Sequence, residues 1–391
     1  MKMEDKHKKL IEYCQGIYKK ENGKELYDKY IGYIEKITPQ DLVFIENEQL
    51  KMGMSASEML TYVDKLINVF YKYLSKYPWE RPKDGEFLYY LIKENNELVK
   101  RLEKFKPVIK DNASLNFKDK LSEFIEEIQL YNEHILKLEN ILFPYMEKKK
   151  EQFNGFKIMW ALHDKIRFQI KELKRILKEP SYDKKEAIKI LGKLYFGLYG
   201  LVQKQELILF PAATEVLNET DLNQMHIQSF DYEFSYIDKP KYPIQGHEKQ
   251  EDANKGIFLA TSTGNLTIEQ IKAILDIVPL DMTLVDENDK VAYFSKPVDR
   301  LFPRSPAVIG RDVRNCHPPD SVHIVEDILL SFKSGKEEKA EFWIKLKGMF
   351  IYIQYFALRD KNGRYIGTLE LSQEVSKIRE LKGERRLLEW R

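Results

Sequence analysis

The hydrophobic spacing of this chain changes once along its length, and that change limits the fold class. Up to Leu217 apolar residues recur at three and four, the spacing of one helix face. From Thr267 onward they fall in short β-branched and aromatic runs bounded by turn residues. The chain therefore combines helical domains with a later α+β domain, and 391 residues exceed what one hydrophobic core usually serves. Four long helical patterns, at 86–106, 115–147, 155–178 and 184–217, are separated by turn-like breaks such as "KPVIKDNAS" and "KEPSYDKK". Helices of several turns joined by short connections each bury one stripe against the other three, which predicts an antiparallel four-helix bundle.

Residues 1–78 read as a small helical domain of short elements, with Thr38 or Ser55 as N-caps and Pro39 at a first helical position. The Pro/Gly cluster "YPWERPKDG" marks a boundary, so the bundle is expected over 79–222. Residues 223–263 lack sustained periodicity and read as a linker or a loop wrapped over the bundle. Residues 264–391 form the last domain. There "MTLVDENDKVAYFS" is two strands, and three more runs are joined at Lys347-Gly348 and Asn362-Gly363, with helices expected between the two groups at 296–302 and 319–333. The result is a five-stranded antiparallel sheet with helices on one side, where a concave ligand pocket commonly forms. In the closing "EVSKIRELKGERRLLEW", Val375, Ile378 and Leu381 share a stripe, followed by Leu387, Leu388 and Trp390. Such a helix is expected to pack on a protein partner or on a second copy in a homodimer.

Charge excludes several classes. Lys plus Arg (64) nearly cancels Asp plus Glu (62), so no whole-protein field favours nucleic acid or anionic lipid. No apolar run approaches the roughly 20 residues of a membrane span, and the N-terminus lacks a signal-peptide pattern, so a cytoplasmic location is expected. Cys14 and Cys316 have no zinc-type spacing and read as reduced thiols. No kinase, cyclase or DNA-binding signature follows the last domain, and no enzymatic activity is expected.

The phrases "YNEHILKLENILFPYME", "IMWALHDKIRFQI" and "QKQELILFPAATEVL" carry a repeated Leu-Phe-Pro, at Leu142-Phe143-Pro144 and Leu209-Phe210-Pro211. Here the chain resembles the hemerythrin-like family of oxygen-binding four-helix bundles. That resemblance implies a His on the first helix, His-x-x-x-Glu on the second, His-x-x-x-His on the third, and His with a carboxylate five residues later on the fourth, together holding two irons. In this sequence the first position is Asn95, His134 is followed by Leu138, His163 by Arg167, and Leu201 precedes Glu206. A diiron centre is therefore not expected, since an Arg in the cavity repels cations. His134, His163 and Glu206 remain candidates for a single metal ion, the alternative being core polar residues hydrogen-bonded to Arg167, Asn95 and Tyr neighbours. Glu139, five residues after His134, is expected off the ligand face, at the surface or behind the ligands.

From Thr267, "NLTIEQIKAILDIVPLDMTLVDENDKVAYFS", "LFPRSPAVIGRDVRNCHPPDSVHIVEDIL" and "AEFWIKLKGMFIYIQYFALRDKNGRYIGTLE" resemble a PAS domain. The branch is the one that follows a hemerythrin-like bundle in bacterial and archaeal proteins, which also begin with an uncharacterised helical domain. Pro318 or Pro319 suits a first helical turn, Asp320 or Ser321 a cap, and Ile324, Val325, Ile328 and Leu329 a buried stripe. PAS domains that bind heme often use a His on this helix, so the resemblance makes His323 or His317 a candidate axial ligand, with Cys316 beside them. Another small ligand, or an interior that is purely structural, are the other expectations. The chain is expected to be a cytoplasmic sensory or signalling protein whose PAS domain binds a small ligand or heme and transmits its state through the C-terminal helix. The alternatives are an iron or heme protein handling oxygen, nitric oxide or peroxide, and a non-catalytic scaffold.

Overall fold

Caps decide where the early helices begin. Thr38 accepts from the Asp41 amide while Asp41 accepts from the Thr38 amide, with Pro39 at the first helical position; Ser55 and Glu58 repeat the device. The computed structural model describes residues 3–149, 153, 156–242, 258–261, 264–297 and 300–384. These fall into two units, Met1–Pro243 with Ser305–Ala307, and Ile244–Arg304 with Val308–Arg391.

The first unit is helical. It opens with α1 (Met3–Tyr18), α2 (Gly23–Ile34), α3 (Pro39–Lys51), α4 (Ala56–Met59) and α5 (Val63–Leu74). The bundle follows. Its first helix is α6 (Phe87–Lys110); its second is α7 (Phe117–Gln129), α8 (Asn132–Lys137) and α9 (Phe143–Lys149) in series; its third is α10 (Lys157–Lys178); its fourth is α11 (Lys184–Lys204) and α12 (Phe210–Val216). Leu10, Phe70, Leu98, Leu142, Leu198 and Met225 belong to one continuous buried cluster, so the short N-terminal helices and the bundle share a core. A further helix, α13 (Glu219–Ser229), capped reciprocally by Asn218 and Asp221, runs from the end of the expected bundle into the region read as a linker from 223.

Two π-turns interrupt the bundle at equivalent places, Leu138–Leu142 before Phe143-Pro144 and Gln205–Leu209 before Phe210-Pro211. In a straight α-helix each proline ring would collide with the carbonyl four residues back. Here the Phe143 amide reaches back five residues to Leu138, and the Phe210 amide to Gln205. The extra residue turns the helix face, so residues five apart come to the same side.

Among the described residues the second unit opens with a two-stranded ribbon, β1 (Phe258–Thr261) and β2 (Gly264–Thr267), and the helix α14 (Ile268–Ile277). Its main sheet contains β3 (Asp281–Asp286), β4 (Val291–Phe294), β5 (Lys339–Leu346), β6 (Met349–Arg359) and β7 (Tyr365–Glu374), in the antiparallel order β4-β3-β7-β6-β5. Lys347 and Gly348, both left-handed with φ of 50° and 83°, close the β5–β6 hairpin as a primed turn does. Gly367 has φ of 152°, and a Cβ there would stand 2.5 Å from the Val285 carbonyl oxygen, so β3 and β7 approach closely only because no side chain intervenes.

The helix expected at 296–302 is absent from the described residues of that stretch. The later one, α15 (Pro319–Lys333), starts with Pro319 at its first turn and has no side-chain cap, contrary to the role expected of Asp320 or Ser321. Its inward stripe is Val325, Leu329 and Phe332, whereas Ile324 is exposed. The last described helix, α16 (Ser376–Glu380), is five residues long; Ile378 and Leu381 are exposed, and Leu387, Leu388 and Trp390 lie outside the described residues. Among the described residues no helix is long and apolar enough to cross a membrane.

Candidate functional site

Two buried glutamates organise the polar interior of the bundle. Glu94 on α6 accepts from His134 Nδ1 at 2.8 Å, from the Ser235 backbone amide at 2.7 Å, and from the ammonium of Lys137. All three side chains are buried. Lys137 also donates to the Glu233 carbonyl at 3.0 Å and lies over the Phe234 ring. The segment after α13 therefore closes this pocket, and the Ser235 hydroxyl accepts from the His134 amide, one of the open donors at the start of α8. His134 Nε2 is taken by Gln205 Oε1 at 2.9 Å.

Glu139 is the second centre. It accepts from His163 Nδ1 at 2.8 Å and from Arg167 Nη2 at 2.7 Å. Burial alone would raise its carboxyl, but His163 and Arg167 hold it below the ordinary glutamate value. Burial pushes the His163 imidazole down, and its Nε2 is buried without a hydrogen-bond partner. Glu206 stands apart, accepting from Asn95 Nδ2 and from Arg81 Nη1, each at 3.3 Å, with its carboxyl raised by burial.

His134, His163 and Glu206 are thus not gathered as ligands. Among the described residues no group of three or more His, Cys, Asp or Glu side chains converges so as to hold a metal ion. The chemistry of the donor set explains this: both carboxylates that orient the histidines already carry a protein cation, Lys137 on Glu94 and Arg167 on Glu139. The residues present do not fit a dinuclear metal. Glu139 is buried beside His163, contrary to the position expected for it, because the π-turn rotates it inward. Glu94, Lys137 and Gln205 were not singled out from sequence either. The signal available was the repeat itself, which aligns Lys137 with Lys204 and Glu139 with Glu206 across the two Leu-Phe-Pro segments.

The second unit has its own polar interior. Residues directly opposite in an antiparallel pair share a face, so Thr283, Glu370 and Tyr355 form one row across β3, β7 and β6. Val285, two residues after Thr283, lies in a buried cluster with Val313 and Leu329, which identifies this as the face covered by α15. Ile351 and Ile353 of β6 share it with several polar side chains. Asp281, Thr283, Thr368 and Ser372 on it are all buried. Above the row Arg304 Nη2 donates to Glu370 at 3.2 Å, while Arg304 Nε is buried with no acceptor.

His317 lies beside this cluster; burial, then Arg304 and Arg311, push its imidazole down to about 4. Cys316 is a reduced, partly buried thiol that donates to the Asp312 carbonyl at 3.7 Å. His323 is exposed on α15, one position from the inward-facing side, so it is not presented to the interior as an axial ligand. Because the folded His317 is harder to protonate than an unfolded one, its contribution to stability is complete above pH 6.5 and is lost as the pH falls from there to about 4. That loss is expected to be about 2–3 kcal/mol once partial exposure is allowed for. Amide exchange in β6 and β7 should accelerate over this window in the native chain and much less in His317→Asn; equal acceleration in both would exclude His317 as the source.

Comparison with known proteins agrees with both units. The family model of the hemerythrin HHE cation binding domain matches residues 86–213, and that of a PAS domain matches residues 271–376. No curated protein matches the chain. Among solved structures, the crystal structure of a C-terminal domain from Streptococcus mutans is 31% identical, over 32% of this chain and 98% of that one, with a TM-score of 0.31. The PAS domain of a protein from Colwellia psychrerythraea is 18% identical over 28% of this chain and 97% of that one, with a TM-score of 0.23. The sensor region of a sensor histidine kinase is 14% identical over 26% of this chain and 41% of that one, with a TM-score of 0.19. The chain thus carries a hemerythrin HHE cation binding domain and, after it, a PAS domain, both behind a helical N-terminal region.

Proposed function

We propose that this is a cytoplasmic sensory protein in which the PAS unit takes up a small ligand and the hemerythrin-type bundle serves as a metal-free helical body. Domains of these two types are typically non-catalytic. The observation that carries the reading is the helix-covered face of the PAS sheet, where Asp281, Thr283, Thr368 and Ser372 are buried among apolar Val285, Ile351 and Ile353 and beneath Leu329 of α15. A purely structural interior gains stability by burying apolar surface, whereas a polar lining suits recognition. The ligand changes signalling only by favouring one packing of the segment that follows β7, through which the state passes to a partner or second copy.

The heme reading would require an imidazole facing an apolar slot. His323 is exposed, and His317 stands among guanidinium groups. Visible absorption and metal analysis of full-length protein purified without oxygen, followed by denaturation and mass spectrometry of what is released, test the proposal. The expected result is a small organic molecule with neither a Soret band nor stoichiometric iron. A Soret band would establish heme in place of the proposed ligand, iron without it would place function in the bundle, and release of nothing would favour a scaffold.

A further inference from the structure

Arg304 is a side chain in the PAS interior with an unfilled donor. Its guanidinium gives Nη2 to Glu370, but its Nε–H is buried with no acceptor. A buried donor left unpaired costs on the order of 1–3 kcal/mol, more when the group is charged. Of the acceptors on the sheet face nearby, Glu370 is held by Arg304 and by the Ser372 hydroxyl at 3.5 Å, the Tyr365 and Thr368 hydroxyls bond one another at 2.8 Å, and Asp281 Oδ1, which accepts no hydrogen bond, is ion-paired with Arg300 at 3.1 Å. An oxygen acceptor brought by a ligand would complete the arrangement.

We propose that the ligand of the PAS unit is a small monocarboxylate, one of whose oxygens accepts the Arg304 Nε–H beside Tyr355, Glu370 and His317. This rests on the reading of that unit as a small-ligand sensor. The charge follows from the surroundings. A guanidinium edge matches a planar carboxylate, which accepts charge-assisted hydrogen bonds about twice as strong as neutral ones. Glu370 shares the same guanidinium, and Asp281 is close enough to act on it electrostatically, so a dianion would meet two carboxylates where a monoanion meets its single open donor. Tyr355 and the neutral imidazole of His317 provide uncharged partners for the rest of the molecule.

Titration of the full-length chain with acetate and benzoate, with acetamide and benzamide as neutral counterparts and succinate and inorganic phosphate as dianions, tests the assignment by calorimetry and by exchange protection of β6 and β7. At least one monocarboxylate is expected to bind, at least tenfold more tightly than its amide and than either dianion. Arg304→Met is expected to weaken that binding at least tenfold, with Arg304→Lys recovering part. If Arg304→Met disturbs the sheet, Tyr355→Phe, which leaves the guanidinium in place, should retain the preference for acid over amide. Amides binding as well as acids would overturn the monocarboxylate while leaving the small-ligand reading intact, as would tighter binding of a dianion or unchanged affinity in Arg304→Met. No binding by any of these probes, with nothing released on denaturation, would overturn both.

Discussion

Replacement of Lys137 by Met is expected to lower the unfolding free energy of the helical unit by about 3–5 kcal/mol, the range for removing one member of a fully buried ion pair. Glu94 would keep its bonds from His134 and the Ser235 amide but lose the only cation bonded to it whose charge does not depend on a histidine. Glu94 is wholly inaccessible to water, so solvent cannot replace the ammonium. Urea unfolding followed by helical circular dichroism measures the loss. The double replacement Glu94→Gln with Lys137→Met should regain much of it, because no uncompensated charge then remains. A loss below about 1 kcal/mol for Lys137→Met would mean that Glu94 does not depend on the lysine.

The second large effect is at the other glutamate. Arg167→Met is expected to cost about 2–3 kcal/mol at neutral pH, less than Lys137→Met because the guanidinium keeps contact with solvent. The cost should depend on pH in a definite direction. In the native chain Glu139 has a lowered pKa, so its contribution is complete above the ordinary glutamate value of 4.5 and is lost as the pH falls through the lower folded value. Without Arg167 the carboxyl takes up its proton at higher pH. The difference between native and variant proteins should therefore be largest near neutrality and shrink below about pH 4.5. A difference that stays constant with pH would show that packing of the Arg167 stem, not its charge, was lost.

The four-helix bundle and the five-stranded sheet were legible because hydrophobic period and hairpin glycines report them directly, as at Lys347-Gly348. The interior of the bundle was harder to read. A π-turn leaves the apolar spacing almost undisturbed while rotating the polar positions around it, so Glu139 read as off the face that it in fact occupies. The helix α13 escaped notice because "ETDLNQMHIQS" buries only Met225, His226 and Ser229. On α15 the side that faces inward depends on where the helix starts, and adjacent residues differ by about 100° around its axis, so His323 and Ile324 were assigned inward while Val325 and Leu329 carry the contact. The polar sheet face was legible in principle: in "GTLELSQ" every second residue from Thr368 to Ser372 is polar.

The paired π-turns also restrict how this protein can change over evolutionary time. Deleting a single residue between Leu138 and Leu142, or between Gln205 and Leu209, would return that turn to ordinary winding and leave the helix beyond it facing as before, because the π-turn already absorbs the extra residue. The loss would fall within the turn, where residues five apart would no longer share a side and the proline ring would meet the carbonyl four residues back. The two segments are therefore free to drift in composition, as Leu201 aligned with His134 illustrates, while their residue count stays pinned.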